Sequence, residues 1–267
     1  EMVASDEYVN GRHEARVRAE GEGIHPHVVQ IAGCDPVLMG EAARLVEAAG
    51  ADIVDINMGC PSKRVNGRLS GSALMRDLEH ATSLIEATIA AVKVPVTLKM
   101  RTGWSAAHKN ALTLARAFED AGVQMIAVHG RTREQGYKGL AEYDTVAAVK
   151  AALHIPVVAN GDIDSPEKAR DVLAYTGADA VMVGRAAQGR PWIFREISHF
   201  LETGTHLAPP LVAEVKRLLG PQGDKLQGIF VSVDQGVDGS LLMAVRDTGA
   251  GIAAEHLPRL TERFYRV

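Results

Sequence analysis

The segment DINMGCPSKRV, Asp55–Val65, places a single thiol where it could transfer a proton. Cys60 lies between Gly59 and Pro61 in a tight loop, without a second cysteine or a histidine at metal-ligand spacing. It has no Cys-X-X-Cys partner either. Asn57 precedes it, and an amide can donate and accept hydrogen bonds toward a carbonyl or a base. An isolated cysteine would favour an inert structural role, but this combination favours a general acid.

Basic side chains follow this thiol and recur after later apolar runs. Lys63 and Arg64 come next in the loop, where they could contact the phosphates of a large anionic substrate. Lys99 ends the run VTLKM, and a buried ammonium there needs an anionic partner. A reduced flavin, an anionic substrate or a buried glutamate would each serve. His129, in VHGR, could hydrogen-bond a cofactor, although a lone histidine in a strand is more often structural.

Two glycine-containing turns predict a phosphate site. Gly184 and Arg185 follow an apolar run and precede a predicted helix, so backbone N–H groups and a helix N-terminus would face a phosphate. Asn160, Gly161 and Asp162 form the turn one unit earlier, and phosphate sites in barrels often join two successive loops. Each turn alone is equally consistent with an ordinary turn. The pair on successive units favours phosphate binding.

The elements that position these residues repeat along the chain. From about residue 27 to 204, six apolar runs alternate with helix-like segments, which predicts parallel strands with helical crossovers. Each run has a polar or glycine residue near its end, namely Gln30, Asn57, Lys99, His129, Asn160 and Gly184-Arg185. Strand ends ring one mouth in a β/α barrel, whereas a doubly wound sheet binds ligand at one switch point. The pattern therefore favours a barrel.

The strand count sets the predicted domain organisation. EMVAS, at Glu1–Ser5, is interpreted as the tail of a seventh strand, and a closed barrel of this type has eight. The predicted fold is α/β, a (β/α)8 TIM-type barrel lacking its first βα unit and followed by a small α+β fragment. We predict the barrel at 1–207, a helix and linker at 208–227, and a fragment with a hairpin at 228–267.

The composition excludes several classes of protein. The chain has 267 residues, of which 46% are hydrophobic, enough for one large domain or two unequal ones. Cys34, which we interpret as structural, and Cys60 are too few for a disulfide framework. No apolar run approaches the ~20 residues of a membrane span, so we expect a cytoplasmic protein. A net charge of −4 excludes a generally basic nucleic-acid coat but allows a basic cleft.

Seven motifs together resemble the bacterial tRNA-dihydrouridine synthases, in order and at the expected spacing. They are EMVASDE, QIAGCDP, DINMGCPSKRVNGRLSGSALMRD, VPVTLKMRTGW, VHGRTREQGYKG, VVANGDI and DAVMVGRAAQGRPWIF, and they cover residue 1 to about 219. The resemblance implies an FMN-bearing β/α barrel that reduces uridine to dihydrouridine in tRNA, with NADPH as the electron source. It implies no DNA or membrane partner.

The resemblance also implies a role for each matching residue. Cys60 would protonate a flipped-out uracil ring, because a stacked base cannot meet the flavin, and Asn57 would help to hold that ring. The implied flavin contacts are Gln30, Lys99, His129, Asn160, Gly161, Asp162, Gly184 and Arg185. The predicted substrate contacts are Lys63, Arg64, Arg101 and Arg131, with Arg133 and Lys138 as further candidates. Arg131, Arg133 and Lys138 would contact the tRNA backbone, although a solvated basic loop is equally consistent with these three residues. No metal site is predicted.

The C-terminal segment departs from this family. Residues 228–267 resemble the middle of a sensor histidine kinase ATP-binding domain, in which Asp247 would contact adenine and Gly249 and Gly251 would shape the pocket. The magnesium-binding helix and the glycine-rich lid of that domain are missing. The alternatives are thus a non-functional chimera, a fusion with a nucleotide-binding signalling module, or a flavin barrel acting on a free dihydropyrimidine. We expect a monomer with an aggregation risk at open sheet edges.

Overall fold

A seven-stranded parallel sheet forms the centre of the first of two units, Glu1–Thr205 and His206–Val267. The computed structural model describes residues 2–21, 25–62, 69–211, 214, 229–235 and 241–247. The strands within these ranges are β1 (Met2–Ala4), β2 (Val28–Ala32), β3 (Ile53–Met58), β4 (Val96–Arg101), β5 (Gly103–Ser105), β6 (His108–Lys109), β7 (Met125–His129), β8 (Val157–Asn160), β9 (Ala180–Met182), β10 (Ile229–Gln235) and β11 (Leu241–Asp247).

Helices connect the strands, and three of those in the described ranges begin at a side-chain cap. In the described ranges they are α1 (Ser5–Val9), α2 (His13–Ala19), α3 (Pro36–Ala48), α4 (Leu78–Ala91), α5 (Ala111–Asp120), α6 (Asp144–Ala152), α7 (Pro166–Thr176) and α8 (Ile193–Thr203), with 3-10 helices at Gly71–Arg76 and Arg185–Ala187. Asp35, Asp77 and Ser165 cap α3, α4 and α7, because their side-chain oxygens accept backbone N–H groups of the first turn.

The strand order is that of a β/α barrel. Within the described residues the sheet runs β1-β2-β3-β4-β7-β8-β9, so neighbours in the sheet also follow one another along the chain. Only the hairpin β5–β6 interrupts this succession, and it forms a separate two-stranded sheet. A doubly wound sheet would reverse its strand order at a switch point. The predicted fold class is confirmed, and so is the strand in EMVAS, since Met2 pairs with Gln30.

The two faces of the sheet differ in chemistry. On β3 and β4, the apolar residues Val54, Ile56 and Leu98 are fully buried and belong to the same core as the buried helix residues. Polar residues occupy the alternate positions of these strands and therefore share the opposite face. In-register pairs align Asn57 with Lys99 on that face. The polar residues thus converge on the side of the sheet away from the helices.

The second unit contains a hairpin. Strand β10 pairs antiparallel with β11, with Ile229 opposite Asp247 and Gln235 opposite Leu241. The hairpin expected in 228–267 is confirmed. Asp247 is the last residue of β11, whereas Gly249 and Gly251 lie outside the described residues.

Candidate active site at the strand ends

The loop that carries Cys60 is held from both sides. The Asn57 Oδ1 atom accepts the Cys60 N–H at 2.9 Å and the Gly59 N–H at 3.2 Å. On the other side, Ser72 donates its hydroxyl to the Cys60 carbonyl at 2.8 Å and its N–H at 3.2 Å. Ser72 is fully buried, while Cys60 is half-buried with a free thiol. The backbone around the thiol is therefore fixed while the thiol keeps access to solvent.

Arg101 connects this loop to the loop after β7. Its Nε donates to the Gly59 carbonyl at 2.6 Å, and its Nη1 donates to the Thr132 and Gly136 carbonyls at 3.1 and 2.9 Å. Its side chain is only 2% exposed. Burial lowers the pKa of Arg101, whereas the neighbouring Tyr137 and Cys60 groups raise it. Its predicted substrate contact stays a prediction, since the described contacts of the guanidinium are to backbone carbonyls.

A hydrogen-bond chain lines the polar face beneath Cys60. Gln30 Nε2 donates to Asp55 at 2.6 Å, and the Thr97 hydroxyl donates to the other Asp55 oxygen at 2.7 Å. Asn57 Nδ2 donates to Gln30 Oε1 at 2.8 Å. Burial raises the pKa of Asp55, although the bonds from Thr97 and Gln30 and the charge of Lys99 act in the opposite direction. This series of hydrogen bonds orients the Asn57 amide. Its second N–H has no partner among the described residues and could donate to a ligand.

His129 lies at the end of β7 among positive charges. Burial lowers the pKa of His129 to about 3, and the charges of Arg101, Lys99 and Arg131 act in the same direction. Arg131 Nη1 lies 3.3 Å from His129 Nε2 and donates to it. The ring is therefore neutral and carries its proton on Nδ1. It can serve as a hydrogen-bond donor there.

Asp162 joins three loops of the mouth. Arg131, itself 2% exposed, donates to both Asp162 carboxylate oxygens at 2.8 and 2.7 Å, and Arg185 donates at 3.0 Å. The Ala141 N–H donates at 2.8 Å. Burial would raise the pKa of Asp162, but the Ala141 hydrogen bond and Arg131 outweigh it and hold the pKa below its ordinary value. The carboxylate thus stays ionised, and its described partners come from the loops that follow β7 and β9.

The two glycine turns differ in how much free space surrounds the glycine. A Cβ at Gly161, where φ is +120°, would lie 2.8 Å from the Ala141 Cβ and 3.0 Å from the His129 ring, so that turn is closely packed. At Gly184 a Cβ would meet nothing within 4 Å. Asn160 is buried and donates to the Met182 carbonyl at 2.7 Å, which ties the two turns together. Open space therefore lies at Gly184 rather than at Gly161.

The helix expected directly after Gly184 begins later. A 3-10 helix, Arg185–Ala187, follows the glycine, and α8 begins only at Ile193. Gly189, with φ of +72°, and the proline at 191 interrupt a continuous helix. A short 3-10 helix with Gly184 as its N-cap therefore takes the place of the expected α-helix start, and the phosphate contact predicted there stays a prediction.

The structure brings most of the predicted residues to one end of the sheet. In-register neighbours connect Asn57 with Lys99, Arg101 with His129, and His129 with Asn160. Lys63 and Arg64 lie outside the described residues, so their predicted contacts stay predictions. No group of acidic, histidine and cysteine residues in the described part of the chain could hold a metal ion. Across the same ranges, no helix combines the length and apolarity that a bilayer span requires.

Sequence reasoning missed three residues of this site. Asp55 lies two positions before Asn57 on the same strand, so strand periodicity alone could have placed it on the polar face. Ser72 contacts Cys60 across the loop, and no local pattern marks it. Tyr137 is 53% exposed, and its ring centroid lies 5.7 Å from the Arg101 guanidinium and 5.4 Å from that of Arg185. An exposed aromatic at the mouth could have been singled out from VHGRTREQGYKG.

Comparison with known proteins identifies close relatives. The family model described as "Dihydrouridine synthase (Dus)" matches residues 1–232, which extends past the end near 219 expected from the motifs. The tRNA-dihydrouridine synthase B of Shewanella oneidensis is 54% identical over 233 residues, covering 86% of this chain and 72% of that protein. The proteins of the same name from Vibrio cholerae and Pseudomonas putida are 58% and 54% identical, covering 78% and 82% of this chain. The chain spans 64% and 65% of those two relatives.

Proposed function

This chain belongs to the dihydrouridine synthase family, and from that premise we propose that its barrel reduces uridine in tRNA to dihydrouridine with FMN as cofactor and NADPH as electron source. The single observation that carries the proposal is the convergence of a fixed, accessible thiol and a set of hydrogen-bond donors at one end of the sheet. A cytoplasmic location follows from the proposed tRNA substrate.

The residues present fit an anionic flavin cofactor. Open space at Gly184, beside the half-exposed Arg185, suits a phosphate. The partly exposed Lys99 ammonium suits a ring that becomes anionic on reduction. Neutral His129, with a proton on Nδ1, adds a donor to the same region. We propose that these residues, with Gln30 and the turn at 160–162, hold FMN.

The thiol of Cys60 supplies the proton in this mechanism. Bound reduced FMN would supply a hydride to C6 of the uracil ring. Cys60 then donates its S–H proton to C5, so the C5–C6 double bond becomes a single bond and Cys60 is left as a thiolate. The Arg101 guanidinium, which donates to the adjacent Gly59 carbonyl, keeps a positive charge next to that thiolate.

The base is oriented by the remaining groups of the polar face. The Asn57 Oδ1 atom is occupied by two backbone N–H groups, but its Nδ2 atom donates only one described bond, to Gln30. The second N–H can therefore donate to a uracil carbonyl oxygen. A base paired in a helix could not reach this depth, so the uridine must be extruded from its stack.

Substitution of Cys60 tests this proposal. We expect Cys60→Ala to lower dihydrouridine formation about 10²–10⁴-fold, because the general acid is lost, while flavin absorbance is retained. Cys34→Ala, which removes the other thiol, is the matched control and should keep full turnover. The measurement is dihydrouridine in an unmodified tRNA transcript together with the visible spectrum. Equal turnover in wild type and Cys60→Ala would remove Cys60 from the mechanism, and a protein that FMN cannot reconstitute would reject the flavin site.

A separate proposal concerns the domain organisation of the C-terminal segment. We propose that the barrel ends near 207, that 208–227 form a helix and linker, and that 228–267 form a fragment resembling a kinase ATPase domain. The observation that supports the kinase-like fragment is the position of Asp247 at the end of β11. Calorimetric titration with an ATP analogue tests the signalling alternative, and we expect no heat of binding because the magnesium-binding helix and the lid are missing from the sequence.

A further inference from the structure

We infer that Arg76, Trp104 and Arg133 form a cationic surface beside the mouth that binds backbone phosphates of the RNA substrate. We call these three residues the arginine–tryptophan cluster. The inference rests on the proposed function, because it assigns a binding surface to the same substrate.

The geometry of the cluster is a stack. The Arg133 Cζ atom lies 4.6 Å from the Trp104 ring centroid, and the Arg76 Cζ atom lies 4.8 Å from it. Both distances are well within the range of a cation–π contact. The half-buried indole thus supports two guanidinium groups at once. With its ring covered in this way, Trp104 serves as a support for the cations rather than as a platform for stacking bases.

The cluster is built from segments that also shape the active site. Arg76 ends the 3-10 helix whose Ser72 holds the Cys60 carbonyl. Trp104 lies in β5, three residues after Arg101, and Arg133 lies two residues after Arg131. Backbone bonds join the last two segments, since the Arg133 N–H donates to the Gly103 carbonyl at 2.9 Å. The cluster therefore adjoins the mouth.

The two guanidinium groups of the cluster have no acidic partner among the described residues. Within the described part of the chain, neither Arg76 nor Arg133 forms an ion pair, in contrast to Arg170, which pairs with Asp171 at 2.7 Å. The Arg133 Nε atom is buried and has no hydrogen-bond partner among the residues that the structure describes. Guanidinium groups without a carboxylate partner favour an anionic oxygen supplied by a ligand.

Phosphate is the anion that this arrangement suits best. A guanidinium presents its N–H groups as a planar fork that matches phosphate oxygens, and stacking on an aromatic ring restricts the orientation of that fork. Two such forks on one indole would contact neighbouring positions of an RNA backbone. Contacts of this kind position a substrate without reading its sequence. The cluster would thus hold the RNA while the target base enters the mouth.

Binding of an unmodified tRNA transcript tests this inference. We expect Arg76→Ala and Arg133→Ala each to weaken binding about fivefold to tenfold, uniformly across tRNA sequences. Each should also reduce the slope of log affinity against log salt concentration by about 0.7–0.9, because one phosphate contact is lost. Arg116→Ala removes an exposed arginine of α5 and is the control for net charge; it should leave affinity and slope unchanged.

Two further variants separate this surface from a purely structural role. Arg133→Lys keeps the charge but loses the fork, so its affinity should fall between those of wild type and Arg133→Ala. Trp104→Phe keeps an aromatic support and should bind more tightly than Trp104→Leu. Flavin absorbance of each variant should equal that of the wild type, which shows that the barrel is intact.

The outcomes distinguish this inference from the proposed function. Wild-type affinity in both Arg76→Ala and Arg133→Ala, a loss equal to that of Arg116→Ala, or no binding of the transcript to the wild type would each overturn the surface. A cluster-dependent affinity without any dihydrouridine formation would support the surface and reject the proposed activity.

Discussion

At the residue scale, His129 is a buried histidine whose pKa lies well below its ordinary value. Burial of the ring is the main reason that it stays neutral, and the positive charges of Arg101, Lys99 and Arg131 act in the same direction. A neutral ring cannot compete with Cys60 as the source of a proton near pH 7. Its contribution is instead a donor of fixed orientation, because Arg131 occupies Nε2.

The protonation of His129 predicts a dependence of stability on pH. The pKa of His129 is about 3 in the folded state and near its ordinary 6.5 when unfolded, so between these values the unfolded chain binds the extra proton. Stability is therefore lost as pH falls through this window. From pH 7 to pH 5 the contribution of His129 should decrease by about 2 kcal/mol. Urea denaturation at both pH values measures it.

A His129→Gln variant isolates this contribution from other groups. Asp55 acts in the opposite direction, since its raised pKa lets the folded state bind a proton first, and Asp162 stays ionised across the range. The variant should lose about 2 kcal/mol less than the wild type between pH 7 and pH 5. An identical loss in both proteins would contradict a neutral His129.

The sequence identifies residues with suitable chemistry better than it identifies the residues that hydrogen-bond to them. Cys60 and Asn57 can be selected because an amide near the end of a strand and a thiol in the tight loop directly after it form an uncommon combination. Their hydrogen-bond partners cannot be predicted in this way, because Gln30, although itself selected, is 27 residues from Asn57, and Ser72 is 12 residues from Cys60 along the chain. Only the register of β2 against β3 and the path of the loop bring these pairs together.

At the scale of elements, Arg101 holds two loops that no strand pairing connects. Three backbone carbonyls, from Gly59, Thr132 and Gly136, depend on one buried guanidinium. A side chain without donors would leave all three carbonyls without this donor, close to the Cys60 thiol.

Arg101→Met should therefore destabilise the protein by about 2–4 kcal/mol, because buried acceptors lose their donor. Arg101→Lys keeps the charge but not the fork, so we expect an intermediate loss. Urea denaturation is the measurement, with Arg116→Met as an exposed control that changes stability by less than about 0.5 kcal/mol. Wild-type stability of Arg101→Met would show that the two loops are held by other contacts.

Periodicity predicts the elements well where strands and helices are regular. The alternation of apolar runs and helical segments is sufficient for the strand order, and glycines mark helix ends, as at Gly177, which caps α7 with φ of +67°. The start of α8 is missed, because Gly189 and the proline at 191 delay it in a segment whose composition resembles a helix. The hydrogen bonds from Arg101 on β4 to the loop after β7 are missed too, because they join a side chain to backbone carbonyls.

At the scale of the whole molecule, a bound cofactor should stabilise the barrel. FMN at about 100 times its Kd would add ~2.7 kcal/mol if it binds only the folded state, which corresponds to a Tm increase of about 5–10 °C. Thermal unfolding with and without FMN measures this. Riboflavin lacks the phosphate and should give a smaller increase, and Arg185→Met should reduce the difference between the two ligands. A Tm that FMN does not change would argue against the proposed cofactor.

The organisation of the whole chain is only partly predictable. The sheet follows from the repeated pattern, but the family match extends to residue 232, beyond the last recognisable motif. The segment between α8 and β10 has no strand periodicity or active-site motif, and the helix and linker expected at 208–227 stay a prediction. The monomeric state stays a prediction, to be measured by sedimentation.

The succession of strands in the sheet bears on how the protein is made. Every parallel pairing from β1 to β9 joins a strand to the next parallel strand along the chain. A chain leaving the ribosome could therefore add each strand to the one before it without waiting for a distant partner. Assembly would advance in the direction of translation, and the loops that carry the chemistry would be set in place one after another.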